Sequence, residues 1–283
     1  MRFAAAIFVA AFLTACSTSR PTESLQIVQP TNSSKYAAIV VDANTGRTLF
    51  ASAADQPRYP ASLTKMMTLY MLFEAIDQGR MSKSTMIPVS AYAASRPPSR
   101  LGLKAGETID AETAINALAV RSANDVAAAV GEYLGGSEAA FAAQMTARAR
   151  ALGMSRTTFR NASGLPDPGQ QTCARDMALL GLALKRRFPH HYHYFSNQDF
   201  AYAGRIVRGH NELLKTGGVD GIKTGYIRAS GFNIVTSYNG NGKRLIVTVM
   251  GGDSARERNA QVKELIDRYA GSRPAGGLPT FTN

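Results

Sequence analysis

The sequence predicts an α/β fold in which an antiparallel sheet forms from both ends of the chain and an all-helical lobe is inserted between them. Hairpin-like strand patterns lie near the beginning and near the end, and a long stretch of helical periodicity separates them. The composition agrees, because 45% hydrophobic and 18% charged residues are ordinary for a globular domain. A cleft between sheet and lobe is the natural place for a site.

The first elements are a hairpin and a helix. Strands are predicted from Tyr36 to Asp42 and from Arg47 to Ser52, with the turn Asn44-Thr45-Gly46 between them. Apolar residues then recur at helical spacing from Ser62 to Gln78, and Gly79 ends this predicted helix.

The helical lobe follows an irregular segment. Met86 to Leu103 is expected to be irregular, because it contains Pro97-Pro98. Helical periodicity runs from Ala111 to about Arg187, with breaks at three glycines and in the loop 161–169.

The last elements return to the sheet. Strands are predicted from Phe232 to Tyr238 and from Lys243 to Met250, and the intervening Asn239-Gly240-Asn241-Gly242 is a strong hairpin signal. An amphipathic helix is predicted from Glu257 to Tyr269.

The two chain ends are expected to lie outside this domain. Residues 1–16 resemble a bacterial signal peptide with a lipobox, Leu13-Thr14-Ala15-Cys16, in which Cys16 becomes lipidated. Ordinary cleavage, with Cys16 incidental, is the alternative. A flexible tether over 17–35, a folded domain over 36–270 and a tail over 271–283 complete the prediction.

The net charge limits the classes of binding partner, and the cysteine content limits the possible disulfides. The net charge is +12, but export and the lack of any nucleic-acid motif argue against nucleic acid as a partner. The basic surface is expected to meet anionic lipid headgroups or cell-wall polymers. The leader and Cys16 predict an exported, periplasmic protein that is anchored to a membrane through lipidated Cys16. Cys173 is left with no disulfide partner and is expected to be a buried, unreactive thiol.

A serine and a lysine stand three residues apart where the first helix begins. Ser62 and Lys65 therefore share a helix face, and a lysine without its proton can act as the base that a serine nucleophile requires. Burial and a second cation, which Lys223 can supply, both lower a lysine pKa. Alone, the pair favours the simpler interpretation of a helix cap and a solvated lysine.

Two further motifs extend this pattern. Ser122-Ala123-Asn124 lies between helical stretches, where Ser122 can relay a proton and Asn124 can bind a substrate amide, although both residues also suit a helix cap. Ser237-Tyr238-Asn239 has the same spacing but falls in the final hairpin. It is therefore set aside.

The string Lys-Thr-Gly occurs twice. Lys215-Thr216-Gly217 runs into a flexible turn, whereas Lys223-Thr224-Gly225 follows that turn and enters the strand region. A lysine that anchors a substrate carboxylate should lie on rigid backbone, so Lys223 is the predicted anchor.

In this order the three strings resemble those of the low-molecular-weight penicillin-binding proteins, the D-alanyl-D-alanine carboxypeptidases of peptidase family S11. The similarity extends from about Tyr36 to Tyr269. It is carried by Pro60–Thr68, Arg121–Asp125, Asn161–Leu165, Ala174–Ala178 and Val219–Tyr226.

The resemblance implies a β-lactamase/transpeptidase-like fold and a role for each residue. Ser62 would form an acyl-enzyme with a peptidoglycan stem pentapeptide or a β-lactam, Lys65 would accept its proton, and Ser122 would assist. The implied substrate-binding residues are Asn124, Lys223, Thr224, Gly225, Tyr226 and Arg258, with the backbone N–H groups of Ser62 and Tyr226 forming the oxyanion hole.

The resemblance also has departures. Better-known relatives carry a β-rich second domain and a C-terminal anchor helix, and only 14 residues follow Tyr269 here. Neither feature is therefore expected, and a lipid at Cys16 would replace the anchor.

Three rival functions remain at this stage. A class A β-lactamase needs a glutamate for deacylation, and none lies in the loop 161–169. A penicillin-labelled sensor and a D,D-endopeptidase that cuts cross-links would carry the same motifs. No cofactor and no metal are expected, since His190, His191 and His193 cluster without a metalloprotease motif and are assigned a plain structural role.

Overall fold

The computed structural model describes residues 34–271 and contains a central sheet with helices on both faces. The strands are β1 (Ala37–Asp42), β2 (Thr48–Ser52), β3 (Met86–Pro88), β4 (Thr108–Asp110), β5 (Asp199–Tyr202), β6 (Arg205–Arg208), β7 (Val219–Ile227), β8 (Gly231–Gly240) and β9 (Lys243–Gly252). The helices are α1 (Lys65–Asp77), α2 (Ala91–Ala94), α3 (Ala111–Asn116), α4 (Asn124–Gly135), α5 (Glu138–Ala151), α6 (Ala174–Arg187) and α7 (Ala255–Ala270).

The central sheet has five antiparallel strands in the order β2-β1-β9-β8-β7. The first two strands and the last three therefore meet in one sheet, with β1 paired to β9. This confirms the predicted sheet built from both chain ends. Strand β7 is at its edge.

Alternating residues of β1 belong to the two different cores on either side of the sheet. Ala37 and Ile39 pack into the large core that includes α1, α4 and α6, whereas Ala38 and Val40 pack into a smaller core with α7. A strand that is buried on both faces needs apolar residues at consecutive positions, and this explains the run Ala37–Val41.

The predicted final hairpin is confirmed, and its turn explains the sequence. Strands β8 and β9 are joined by Asn241 and Gly242, both at positive φ, +51° and +70°. Two-residue hairpin turns that suit the twist of the strands require positive φ at both positions, for which Asn-Gly is the preferred pair.

Several local predictions differ from the structure. Ser62 lies in a short 3-10 turn, Ala61–Thr64, and α1 begins only at Lys65. The segment expected to be irregular contains the short elements β3 and α2, and a β5–β6 hairpin follows α6. These strands have three or four residues, which is too short for periodicity to detect.

The predicted leader with Cys16, the tether up to residue 33 and the tail from residue 272 lie outside the described residues. The proposed domain boundaries therefore remain predictions. Within residues 34–271, no helix combines the length and the apolar character that crossing a bilayer requires.

Cys173 is buried and has no disulfide partner within the described range. Its Sγ accepts a hydrogen bond from the backbone N–H of Asp176 at the start of α6, and burial raises the pKa of the thiol to about 11. These two observations fit a structural role rather than a reactive thiolate.

Candidate active site

The candidate nucleophile and base lie side by side where α1 begins. Ser62 is half-buried in the 3-10 turn, and Lys65 is the first residue of α1, so one helical turn separates them. Lys65 Nζ is 3.2 Å from Ser62 Oγ. This is within reach for the transfer of a proton.

The hydrogen-bond partners of Lys65 are compatible with its neutral form. Besides the contact with Ser62 Oγ, its Nζ donates to Asn124 Oδ1 at 2.7 Å and to the carbonyl oxygen of Ser163 at 2.6 Å. A neutral amine has two N–H bonds and one lone pair. The two carbonyl acceptors use both N–H bonds, so the lone pair is left to accept the Ser62 hydroxyl proton.

Burial and charge act in the same direction. Lys65 is fully buried, and its burial, followed by the nearby Lys223 cation, holds the pKa of its ammonium well below the usual value. Asp125 and Glu138 act weakly in the opposite direction.

Ser122 is held in a strained backbone conformation beside this pair. It lies between a π-helical turn, Ala117–Arg121, and α4, with φ of +62° and ψ of +38°. Its buried Oγ has no hydrogen-bond partner among the described residues. A left-handed non-glycine residue with an unpaired hydroxyl is costly, and such strain is most often found at functional sites.

Asn124 links the second motif to the first. Its Oδ1 accepts from Lys65, and its Nδ2 donates to the carbonyl oxygen of Pro97 at 2.9 Å. Both ends of this amide therefore have protein partners. Asn124 lines the cleft, but in this state its hydrogen bonds orient Lys65.

The third motif contributes a buried lysine, Lys223, whose Nζ donates to the carbonyl oxygen of Thr224 at 3.0 Å; Thr224 lines the cleft and Lys223 does not. Lys223 is 2% exposed in β7, and burial together with the Arg258 cation lowers its pKa to about 7. Arg258 of α7 is also buried, and burial lowers its pKa to about 10, so its guanidinium remains charged at neutral pH. Arg256, two residues before Arg258, is exposed and does not line the cleft.

Gly225 explains how β7 approaches the nucleophile. A Cβ at this position would lie 3.0 Å from the backbone nitrogen of Ser62 and 3.1 Å from that of Leu63. The missing side chain therefore lets the edge strand pack directly against the turn that carries Ser62. The next residue, Tyr226, is 54% exposed and its ring lies 4.3 Å from that of Phe232.

All three motifs open onto one cleft of about 400 Å³. It is lined by Ser62, Pro98, Ser99, Ser122, Asn124, Gly164, Leu165, His210, Thr224, Gly225, Tyr226, Ile227, Phe232, Ala255 and Arg258. None of these residues is acidic. The lining residues thus combine hydroxyl groups, one guanidinium cation and aromatic rings.

Residues 24–254 of the chain match the family model of peptidase S11, which is described as D-alanyl-D-alanine carboxypeptidase. The chain belongs to this family. It is 36% identical over 236 residues to the D-alanyl-D-alanine carboxypeptidase DacA of Escherichia coli, an alignment that covers 81% of this chain and 59% of DacA. A more distant relative is a D-alanyl-D-alanine endopeptidase of Pseudomonas aeruginosa, 27% identical over 74% of this chain and 69% of the relative.

Solved structures of penicillin-binding proteins share the fold. Penicillin-binding protein 5 of Haemophilus influenzae matches with a TM-score of 0.78 and 34% identity, covering 82% of this chain and 69% of that one. Penicillin-binding protein D2 of Listeria monocytogenes, in its ampicillin-bound form, matches with a TM-score of 0.71 and 30% identity, covering 82% and 95%. The predicted β-lactamase/transpeptidase-like fold is confirmed.

Residues outside the three motifs position the site in this family member. Asn161 Oδ1 accepts from the backbone N–H groups of Ser163 and Gly164, which fixes the loop whose Ser163 carbonyl contacts Lys65. Thr68 Oγ1 donates to the carbonyl oxygen of Ala162 and attaches the same loop to α1. The motif Asn161–Leu165 had been noted only as part of the resemblance, with no role.

Asn233 and His210 were also missed by sequence reasoning. Asn233 Nδ2 donates to the carbonyl oxygen of Tyr59 at 3.0 Å, and its own carbonyl oxygen accepts from Arg258 Nη1, so it joins the nucleophile turn to this arginine. His210 lines the cleft, and burial, then the Lys223 and Arg121 cations, lower its pKa. Neither residue lies in a motif that marks it.

Gly164 offers a test of how the loop Asn161–Leu165 packs against the turn that carries Ser62. A Cβ at Gly164, which has φ of +86°, would lie 1.8 Å from the carbonyl oxygen of Ala61. Gly164→Ala should therefore lower the free energy of unfolding by about 3 kcal/mol and slow acylation, since the loop must move away from Lys65. Chemical denaturation and penicillin labelling measure the two effects.

The matched control for this substitution is Gly153→Ala. Gly153 has φ of +84°, but a Cβ there would meet nothing within 4 Å. Gly153→Ala should lower the free energy of unfolding by only about 1–2 kcal/mol, the cost of the left-handed backbone conformation, and should leave acylation unchanged. Equal effects of the two substitutions would show that the contact with Ala61 has no part in seating the loop.

A separate polar cluster lies at the other end of α1. Asp77 Oδ1 contacts Nε2 of His190 at 2.9 Å and Nε2 of His191 at 2.8 Å. The ligand atoms of these three side chains lie within 4.8 Å of one another, so they could hold a metal ion. His191 stacks on Phe73 in the core, and His193 is exposed nearby. This cluster has no part in the chemistry of the cleft.

Proposed function

We propose that this chain is a serine-type D-Ala-D-Ala carboxypeptidase that removes the terminal D-alanine from peptidoglycan stem pentapeptides. The chain spans 59% of the length of the DacA relative. The proposal rests above all on Lys65, whose buried Nζ lies 3.2 Å from Ser62 Oγ and is held there by hydrogen bonds to Asn124 Oδ1 and to the carbonyl oxygen of Ser163.

Recognition of the substrate uses the sheet edge and the cations. Strand β7 is one of the two edge strands of the central sheet, and an extended peptide can pair with such an edge by backbone hydrogen bonds. Lys223, Thr224 and Arg258 then receive the terminal carboxylate. A carboxylate beside Lys223 favours its charged form, so binding restores the proton that burial disfavours.

Acylation follows from the positions of the hydroxyl and amine groups. Ser62 Oγ attacks the carbonyl carbon between the two D-alanines while its proton moves to Lys65 Nζ. The developing oxyanion is stabilised by the backbone N–H groups of Ser62 and Tyr226. Ser122 Oγ gives its proton to the leaving amine and regains one from Lys65, so that D-alanine departs and an ester remains on Ser62.

Hydrolysis of the ester completes the cycle for the peptide but is expected to be slow for a β-lactam. No acidic residue lines the cleft among residues 34–271. Glu138 is the glutamate that precedes the loop 161–169 most closely in sequence. Its carboxylate accepts instead from the Tyr92 hydroxyl and from the backbone N–H of Ala162. Without a carboxylate to activate water, the penicilloyl ester should persist, unlike that of a β-lactamase.

The test uses the full chain with two reagents. With a peptide ending in D-Ala-D-Ala we expect release of free D-alanine, and with benzylpenicillin we expect a stable mass increase on Ser62. Labelling without release of D-alanine would identify a sensor. Rapid turnover of penicillin would identify a β-lactamase, and either result would refute the proposal.

The cellular location is a further part of the proposal. Export to the periplasm and attachment through a lipidated Cys16 would keep the enzyme near its polymeric substrate, and the lipobox-like Leu13–Cys16 supports this. Mass spectrometry of the mature N-terminus tests it, since ordinary cleavage would leave no acyl chains on Cys16.

A further inference from the structure

One carboxylate and two imidazoles meet where α1 ends, at the opposite end of that helix from Lys65. Asp77 is the last residue of α1, and His190 and His191 lie between α6 and the 3-10 turn Tyr192–Ser196. Asp77 Oδ1 is 2.9 Å from Nε2 of His190 and 2.8 Å from Nε2 of His191. Ligand atoms of all three side chains lie within 4.8 Å of one another. We call these three residues the Asp77 cluster.

The carboxylate of Asp77 is not committed to a lysine or an arginine. Within residues 34–271 its ion-pair partners are the two histidines, both at Oδ1, and its Oδ2 accepts no hydrogen bond. Glu74, one turn earlier on α1, is the contrast, because its two carboxylate oxygens are taken by Arg148 and Arg187. Asp77 therefore keeps lone pairs for a further ligand.

Packing holds the two rings of the Asp77 cluster at different depths. His191 is 4% exposed and stacks on Phe73, with ring centroids 4.8 Å apart and 15° between the planes. The ring centroid of His190 is 4.2 Å from that of His191, but the His190 side chain is 57% exposed. One ligand is thus fixed in the core, while the other leaves a path from the solvent.

Two imidazole nitrogens and one carboxylate oxygen are a donor set that suits Zn²⁺. Imidazole is a usual ligand of zinc, whereas Mg²⁺ and Ca²⁺ prefer oxygen ligands alone. Zinc sites with two histidines, one carboxylate and an open fourth position are an established type. Bonds of about 2.1 Å in a tetrahedron separate the ligand atoms by roughly 3.4 Å, so the two contacts of Asp77 Oδ1 have to open by roughly half an ångström. Small side-chain rotations are sufficient for this.

The tautomer of His191 is determined from the Asp77 side alone. Nε2 of a neutral ring can donate its proton to Asp77 Oδ1, whereas a zinc ligand needs that proton on Nδ1 and the lone pair on Nε2. His191 Nδ1 is buried and has no hydrogen-bond partner among the described residues. Since an acceptor at the second ring nitrogen normally strengthens zinc binding, we expect an affinity in the micromolar range rather than that of a closed structural site.

We propose that Asp77, His190 and His191 form a zinc site that joins the end of α1 to the segment between α6 and β5. The sequence alone favours a plain structural role for the histidines, because they lack a metalloprotease motif and Asp77 lies 113 positions before His190. The proposal does not depend on the proposed function. Zinc that binds the folded chain and not the unfolded chain shifts the unfolding equilibrium towards the folded state.

The distance from the cleft separates this effect from catalysis. Lys65 and Asp77 are the first and last of the 13 residues of α1, about 18 Å apart along the helix axis. Zinc in the Asp77 cluster should therefore raise the stability of the chain and leave the rate of penicillin labelling unchanged.

The experiment titrates zinc into the full chain after its treatment with EDTA. Isothermal titration calorimetry should detect one zinc ion bound per chain. At a zinc concentration of about one hundred times the measured Kd, Tm should rise by at least about 5 °C. Magnesium and calcium at the same concentration should leave Tm unchanged.

Two substitutions remove a zinc ligand but preserve polar contacts of the Asp77 cluster. Asp77→Asn keeps an amide oxygen that can accept from both rings, and His190→Gln keeps an N–H that can donate to Asp77. Each should weaken zinc binding at least about a hundredfold, so that the rise in Tm nearly disappears. Without zinc, both variants should unfold within a few degrees of the wild type and be labelled by penicillin at its rate.

His193→Gln is the matched control. His193 is exposed, its Nδ1 contacts the carbonyl oxygen of His190, and it lies outside the Asp77 cluster. This variant should bind zinc as the wild type does. The inference is wrong if the wild type binds no zinc, or if Asp77→Asn, His190→Gln and His193→Gln all bind it equally well. An equal rise in Tm with calcium would also overturn it, because imidazoles would then have no part in the binding.

Discussion

Ser62→Ala should abolish measurable release of D-alanine and all covalent labelling by penicillin. Loss of a serine nucleophile typically lowers kcat by about 10⁶-fold, because what remains of the site only binds the substrate and stabilises charge. The fold should be unaffected, since Ser62 is half-buried and its Oγ contact with Lys65 is the only side-chain hydrogen bond it makes within residues 34–271. Mass spectrometry after exposure to penicillin and a D-alanine assay measure the two losses.

Ser122→Ala is the matched control for this substitution. It also removes a hydroxyl from the cleft, but the hydroxyl that carries the ester remains, so labelling should continue at a reduced rate. The reduction is expected to be about 10²–10⁴-fold, the range for loss of a positioned proton donor. Unchanged labelling of Ser62→Ala would show that another residue carries the acyl group.

The sheet and the hairpins could be predicted because their signals are local. The apolar run Ala37–Val41 and the pair Asn241-Gly242 determine their own conformations, and the structure has both as expected. The choice between the two Lys-Thr-Gly copies also depended on local sequence. Lys223 lies within β7, whereas Lys215 ends a short 3-10 turn.

Other parts of the site depend on contacts between distant segments. The acceptor for Lys65 is the backbone carbonyl of Ser163, 98 positions away, and a carbonyl has no signature in sequence. Asn233 acts through the carbonyl oxygen of Tyr59, 174 positions away. Strand β7 contains Gly221 and Gly225, which weaken any strand pattern, although Gly225 is what brings the strand close to Ser62.

Lys65→Arg should lose acylation while the protein remains folded. A guanidinium keeps its proton at any accessible pH and has no lone pair for the Ser62 hydroxyl, so the rate should fall about 10²–10⁴-fold. Because the site is fully buried, the longer side chain could disturb packing, and Lys65→Met serves as a second variant of similar length without charge. Thermal unfolding checks both folds, and the rate of penicilloyl formation measures the loss.

The pH profile distinguishes a base from a mere cation. Burial and Lys223 lower the pKa of Lys65, so its neutral form is present above that lowered value and is lost as the pH falls through it. Wild-type acylation should therefore decrease on the acid side, and this limb should be missing from the residual reaction of Lys65→Arg. Lys185→Arg, which changes a half-buried lysine paired with Asp220, should keep the wild-type profile. An active Lys65→Arg variant would mean that the amine serves only through its charge, and the proton of Ser62 would need another acceptor.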